Sequence, residues 1–263
     1  MSRIASTLNA LKARDEKALV TFITAGDPDL TTSEQLVHSL VESGADLIEL
    51  GFPFSDPMAD GPTIQLSSER ALAARTTLRG VLDLVGRVRQ HSNVPIVLMG
   101  YYNPVFTYGP AQFARDAAAV GVDGLLLVDL PPEEAEELHP LLTAAEVDLI
   151  TLLAPTTGAE RTAQLATASE GFLYYVSMTG VTGSQQVDAS AIASAVGDIK
   201  QMSPVPVAVG FGVSTPADAK SVAAIADAVV VGSALVKLVA EFSGTSRLQS
   251  EVQGLVRQLK AAI

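Results

Sequence analysis

One alternation constrains this chain more than any other feature. Short apolar runs recur along its 263 residues, and each is followed by a stretch with apolar residues three and four apart. The runs at 19–24, 45–51, 94–100, 122–128, 147–153, 172–176, 205–209 and 228–231 read as strands. Helices are expected at 31–44, 63–74, 77–91, 112–120, 133–145, 159–168, 189–200 and 216–225. The last thirty residues, 234–263, read as helical with a break near Ser243-Gly244-Thr245, and the strand at 94–100 leads into YYNP (101–104). Several strand candidates, such as 124–128 and 205–209, are apolar throughout, as in a parallel sheet covered by helices on its outer face. Eight βα units in this length match a (β/α)₈ TIM barrel, one domain over residues 1–263. An extra N-terminal helix over 2–14 presents Ile4, Leu8 and Leu11 on one face. The rival, a doubly wound open sheet, announces a Gly-rich phosphate loop after its first strand. Ala25-Gly26-Asp27-Pro28 is a poor match to one.

Charge narrows the function. There are 17 basic and 29 acidic residues, a net charge of -12, with no Lys/Arg cluster to offset it. Such a balance argues against nucleic acid or an anionic membrane as partner. No apolar run approaches the ~20 residues of a membrane span, and no signal pattern opens the sequence. The chain has no Cys, hence no disulfide and no thiol nucleophile. A cytoplasmic protein is expected.

In such a barrel the chemistry sits at the C-terminal ends of the strands. The second strand carries a carboxylate, Glu49, inside the apolar run LIELG, and alternation places Leu47, Glu49 and Gly51 on one side. An ionised, unpaired carboxylate there costs several kcal/mol. The loop that follows is rich in Pro, Gly and Asp, exceeds the usual 2–6 residues of a βα connection, and ends at Asp60-Gly61-Pro62, where a helix should start. Two carboxylates could then face one pocket, Glu49 from a dry wall and Asp60 from a wetter one, which splits their proton affinities. Phe22, Met99, Tyr101, Leu126, Val128, Tyr174 and Phe211 would form a flat apolar slot at the mouth.

A phosphate site is expected beside it. Gly210-Phe211-Gly212 ends the seventh strand, and Gly232-Ser233 ends the eighth and opens a helix. Glycine admits close backbone approach, a helix N-terminus points N–H groups at an anion, and Ser233 adds a hydroxyl. The long stretch 178–187 could act as a lid, with Gly183 adding a backbone donor and Thr182 meeting Asp60 on closure. His38, His91 and His139 fall on helices or a helix end without metal-ligand spacing, so no metal site is expected. The six Lys residues, at 12, 17, 200, 220, 237 and 260, fall on helices or near strand starts, which leaves none for a Schiff base. Carbon–carbon cleavage here would have to be driven by carboxylates. A sugar-phosphate isomerase or epimerase, and a barrel that only binds and activates a partner, stay open beside it.

ELGFPFSDPMADGPTIQ, YYNPVF, YYVSMTGVTG, VGFG and VGSALV, in this order, resemble the tryptophan synthase alpha subunit family from Phe22 to about Lys237. The resemblance implies a retro-aldol cleavage of indole-3-glycerol phosphate to indole and glyceraldehyde 3-phosphate. It implies no cofactor on this chain, pyridoxal phosphate belonging to a beta subunit in an α₂β₂ complex. The family's catalytic Glu and Asp fall on Glu49 and Asp60, its active-site Tyr on Tyr174 and its lid Thr on Thr182. Its phosphate-binding backbone falls on Gly183, Phe211, Gly212, Gly232 and Ser233. The contact surface for the beta subunit is similar at Pro53, Asp56, Asn103, Phe106, Asp129 and Pro131. One departure is Met178, where some members carry Arg.

Overall fold

The computed structural model describes residues 2–176, 189–210 and 212–263. Its sheet is built from parallel segments β1 (Ala18–Thr24), β2 (Leu47–Gly51), β3 (Ile96–Gly100), β4 (Gly124–Leu127), β5 (Asp148–Leu149), β6 (Thr151–Leu153), β7 (Leu173–Val176), β8 (Val207–Gly210) and β9 (Ala228–Val231). Their order is β5-β4-β3-β2-β1-β9-β8-β7-β6. β5 and β6 are two halves of the strand expected at 147–153, and Ile150 stands between them. β5 pairs with β4 and β6 with β7, so the two edges of the sheet meet at Ile150. The Ile150 N–H still donates to the Leu125 carbonyl at 2.9 Å. The result is a nearly closed TIM barrel, as expected, with its fifth strand broken by one residue.

Helix α1 (Arg3–Ala13) precedes the barrel, and α2 (Leu30–Glu42) follows β1. α3 (Pro62–Ala73) and α4 (Leu78–Arg89) follow β2, and α5 (Tyr102–Tyr108) and α6 (Pro110–Val120) follow β3. α7 (His139–Ala144) lies between β4 and β5, α8 (Ala159–Thr167) after β6, α9 (Ala189–Met202) after β7 and α10 (Pro216–Ala223) after β8. α11 (Ser233–Phe242) and α12 (Leu248–Lys260) close the chain on the two sides of the expected break.

One helix goes beyond the sequence reading, and one reading needs correction. Tyr102 opens α5 just after β3. The Tyr102 N–H donates to Asp129 Oδ1 at 2.8 Å, a cap reached across 27 positions of chain. Pro104 is tolerated in that first turn, where its missing N–H has no intrahelical partner to lose. The expected helix 133–145 is a single 3₁₀ turn, Pro132–Glu134, followed by α7. Pro140 accounts for the break: within a longer helix it would remove one hydrogen bond and clash with the preceding turn.

Strand alternation divides the core in two. Outward residues such as Leu19, Ile48, Leu50, Leu98 and Leu125 pack under the helices. Inward residues Ala18, Val20, Leu47, Val97, Leu126, Ala208 and Val230 fill the barrel together with Ile4, Leu8 and Leu11 of α1. The extra helix therefore plugs the N-terminal end. Arg3 ties it to Asp123 at 2.7 Å, and Ser2 Oγ to Asp148 at 3.0 Å. Each of these large side chains contributes about 1.5–3 kcal/mol on burial. With that end sealed, the open end lies at the strands' C-termini. Among the described residues no helix is long and apolar enough to cross a membrane.

Candidate active site

Glu49 is the last inward side chain of β2 before Gly51, level with Phe22 on β1 and Val97 on β3. The strand ends on glycine because a Cβ at Gly51 would meet the Phe22 ring at 2.7 Å. Phe22 thus lies over the mouth, and Glu49 beneath it is 1% exposed. Among the described residues Glu49 Oε1 has no hydrogen-bond partner. Burial without compensation favours the neutral acid and pushes the Glu49 carboxyl up to about 8.

Asp60 reaches the same cavity from the loop 52–61. Phe52 anchors the start of that loop, its ring so close to Gly100 that a Cβ there would stand 2.4 Å away. Tyr101 holds the end. Its hydroxyl accepts from the Ala59 N–H at 3.0 Å and donates to Asp60 Oδ2 at 3.1 Å, while its ring packs on Phe54 at 5.4 Å between centroids. Burial raises the Asp60 carboxyl to about 6, and the Tyr101 hydrogen bond acts in the opposite direction. Burial, then the charge of Asp60, pushes the Tyr101 phenol upward. Helix α3, which starts two residues later, is fastened to the end of β1 by a bidentate Arg70–Asp27 pair at 2.8 and 2.7 Å. A buried Thr24–Ser67 hydroxyl pair at 2.6 Å supports it.

A cavity of about 650 Å³ opens between these groups. Glu49, Asp60, Phe22, Met99, Tyr174, Gly212, Gly232 and Ser233 all line it, as the sequence suggested. Tyr174 crosses it almost wholly buried, and a Cβ at Gly210 would lie 2.2 Å from its hydroxyl. Burial first, and then the Glu49 charge, raises the Tyr174 phenol well above its ordinary range. Gly212 has φ +81°, a left-handed conformation that suits glycine. Gly232 is the N-cap of α11 and Ser233 its first residue, so the helix N-terminus faces the cavity. Walls the sequence reading did not name include Ile64 from α3, Val213-Ser214 after β8, Val230 from β9, and Leu238, Glu251 and Leu255 from α11 and α12. Lys237, placed by sequence away from any catalytic end, lines the outer cavity one turn beyond Ser233. That i, i+4 spacing was the available signal.

Other expectations change. Leu126 packs in the barrel interior rather than on the cavity, although it is level with Met99 in the β3–β4 register. Tyr101 and Val128 line a smaller adjoining void of about 20 Å³. Thr182, Gly183, Met178 and Phe211 lie outside the described residues. Of the expected partner contacts, Asp56, Asn103, Asp129 and Pro131 are exposed, Pro53 is buried, and Phe106 is 61% exposed. Among the described residues no cluster of three or more His, Cys, Asp or Glu could hold a metal ion.

Comparison with known proteins agrees with this geometry. The family model described as "Tryptophan synthase alpha chain" matches residues 8–263. Tryptophan synthase alpha chains of Geotalea uraniireducens and Geobacter sulfurreducens are each 57% identical over the whole chain, covering 98% and 99% of those relatives. The crystal structure of tryptophan synthase subunit alpha from Legionella pneumophila superposes with a TM-score of 0.92 at 41% identity, covering 100% of this chain and 98% of that one. A structure titled as the tryptophan synthase complex from Pyrococcus furiosus matches at a TM-score of 0.83 and 38% identity, over 93% of this chain and 98% of that one. With the match running nearly end to end and the cavity in place, the chain belongs to the tryptophan synthase alpha chain family.

Proposed function

We propose that this chain cleaves indole-3-glycerol phosphate to indole and glyceraldehyde 3-phosphate, and that Glu49 and Asp60 do the chemistry. One observation carries the reading: a buried carboxyl with an unpartnered oxygen opens onto the same cavity as a glycine-flanked helix N-terminus. The anion cradle takes the phosphate: Gly212, Gly232 and Ser233 supply backbone and hydroxyl donors. The apolar walls Phe22, Met99, Ile64 and Tyr174 take the flat ring.

The proton balance closes on one residue. Glu49, neutral at the start because burial holds its affinity near 8, gives its proton to indole C3. Positive charge then develops on the ring, and ionised Asp60, near 6, accepts the ring N–H and stabilises it. The Glu49 carboxylate takes the proton of the hydroxyl on the carbon bonded to C3. The C–C bond breaks, its electron pair returns to the ring, and the aldehyde forms. Glu49 is again protonated. Thr182 and Gly183 belong to this reading as lid and phosphate donors, and Phe211 as a further part of the cradle. No cofactor enters the step.

The partner is a tryptophan synthase beta subunit, in an α₂β₂ assembly, reached through Asp56, Asn103, Phe106, Asp129 and Pro131 around the mouth, with Pro53 beneath them. The test is to incubate the purified chain with indole-3-glycerol phosphate and with a panel of pentose and triose phosphates, with and without a beta subunit. Indole and glyceraldehyde 3-phosphate in equal amounts from the first substrate alone support the reading. Isomerisation of a sugar phosphate without indole release overturns it.

A further inference from the structure

Two voids lie on either side of one wall. The main cavity and the small void beneath loop 52–61 share Phe22, Asp60, Ile64 and Met99 as walls. Phe22, Asp60 and Ile64 are held: Phe22 lies over Gly51, Asp60 is bonded to Tyr101, and Ile64 is in the first turn of α3. Met99 is partly buried, faces inward from β3, and packs against both the barrel interior and the Phe22–Ile64 cluster. It is unbranched with three rotatable bonds, the side chain best able to leave one packing arrangement for another. The space behind it, about 20 Å³, has room for about one water-sized group.

We propose that Met99 is a movable partition that sets which ring-substituted indole-3-glycerol phosphates the site accepts. The proposal rests on the lyase reading. Asp60 faces both voids, so a ring whose N–H bonds to Asp60 presents its nitrogen edge to the partition. The benzo carbon beside that nitrogen, C7, then points at the small void. A methyl group or chlorine atom there enters it once Met99 swings aside. Substituents on the opposite ring edge meet Glu49 and Tyr174, both almost wholly buried.

The experiment compares kcat/KM for the 7-methyl substrate with that for the unsubstituted substrate, as a ratio, in the wild-type chain and in Met99→Ile. Isoleucine has similar bulk but is stiff at its first torsion. The ratio is expected to stand within about tenfold of unity in the wild type and to fall at least tenfold further in Met99→Ile, each tenfold being about 1.4 kcal/mol. An unchanged ratio in the variant, or rejection of the 7-methyl substrate by the wild type more than a hundredfold, overturns the proposal. Binding of indole and 7-methylindole to both chains, followed by NMR, keeps this result separate from the lyase reading. A wild-type chain that binds both indoles but cleaves no substrate would remove the reaction and leave the partition standing. A Met99→Ile chain that binds the two indoles in the wild-type ratio would remove the partition.

Discussion

At the residue scale two carboxyls face one cavity from different surroundings. Glu49 is almost wholly buried with Oε1 unpartnered among the described residues, whereas Asp60 has the Tyr101 hydroxyl. The reaction needs Glu49 protonated and Asp60 ionised. Activity should therefore fall as pH drops through about 6, where Asp60 takes a proton, and fall again as pH rises through about 8, where Glu49 loses one. A kcat/KM profile between pH 5 and pH 9 checks this, and a flat profile across both values would contradict it. Tyr101→Phe removes a donor that favours the charged form of Asp60. The acid limb should then move to higher pH and kcat should fall about tenfold or more, a hydrogen bond to a charged group being worth about 1.5–3 kcal/mol. A variant with lowered activity but an unmoved acid limb would reduce Tyr101 to packing. Glu49 was visible in the sequence because a carboxylate inside an apolar strand is costly. The Asp60–Tyr101 bond was not, since the two residues stand 41 positions apart and meet only when the loop folds back over β3.

At the scale of elements, periodicity located most of the barrel and failed where contacts between distant segments decide. The β/α alternation, the N-terminal helix and the break before α12 were legible as patterns of apolar residues. The start of α5 depends on Asp129 from another strand end, and no local signal announces it. The interruption at Ile150 reflects pairing that passes from β4 to β7 within one strand, again a property of the closed sheet. The plug role of α1 follows from its burial: Ile4, Leu8 and Leu11 are each 4% exposed or less. Leu8→Ala should cost about 2–5 kcal/mol, the range for a large-to-small change in a packed core. Urea unfolding followed by circular dichroism measures it, and a loss below about 1 kcal/mol would mean that the helix is peripheral to the barrel's stability.

At the scale of the whole molecule, the sealed bottom leaves one working end, and surface features cluster around it. Phe106 on α5 and Met58 on loop 52–61 are 61% and 79% exposed, unusual for such apolar side chains. Both elements also carry the groups that hold Asp60, since Tyr101 is the N-cap of α5. Phe106→Asp should weaken association with a beta subunit at least tenfold, as when a buried interface aromatic is lost. Titration calorimetry with the purified beta subunit reads this directly, and an unchanged affinity would move the docking surface elsewhere. Gly212, Gly232 and Ser233 were picked out in the sequence as Gly-rich strand ends, and the structure brings all three to the cavity wall. The place of Lys237 on the cavity wall was also readable, from its i, i+4 spacing to Ser233.

The central claim is that one buried acid both gives and takes the proton. Single-turnover indole release by Glu49→Gln, beside the wild type and at saturating substrate, tests it most directly. Glutamine keeps the shape of the side chain and cannot exchange a proton, so the rate is expected to fall by about 10²–10⁴ while the substrate still binds. Release within about threefold of the wild type would contradict the account.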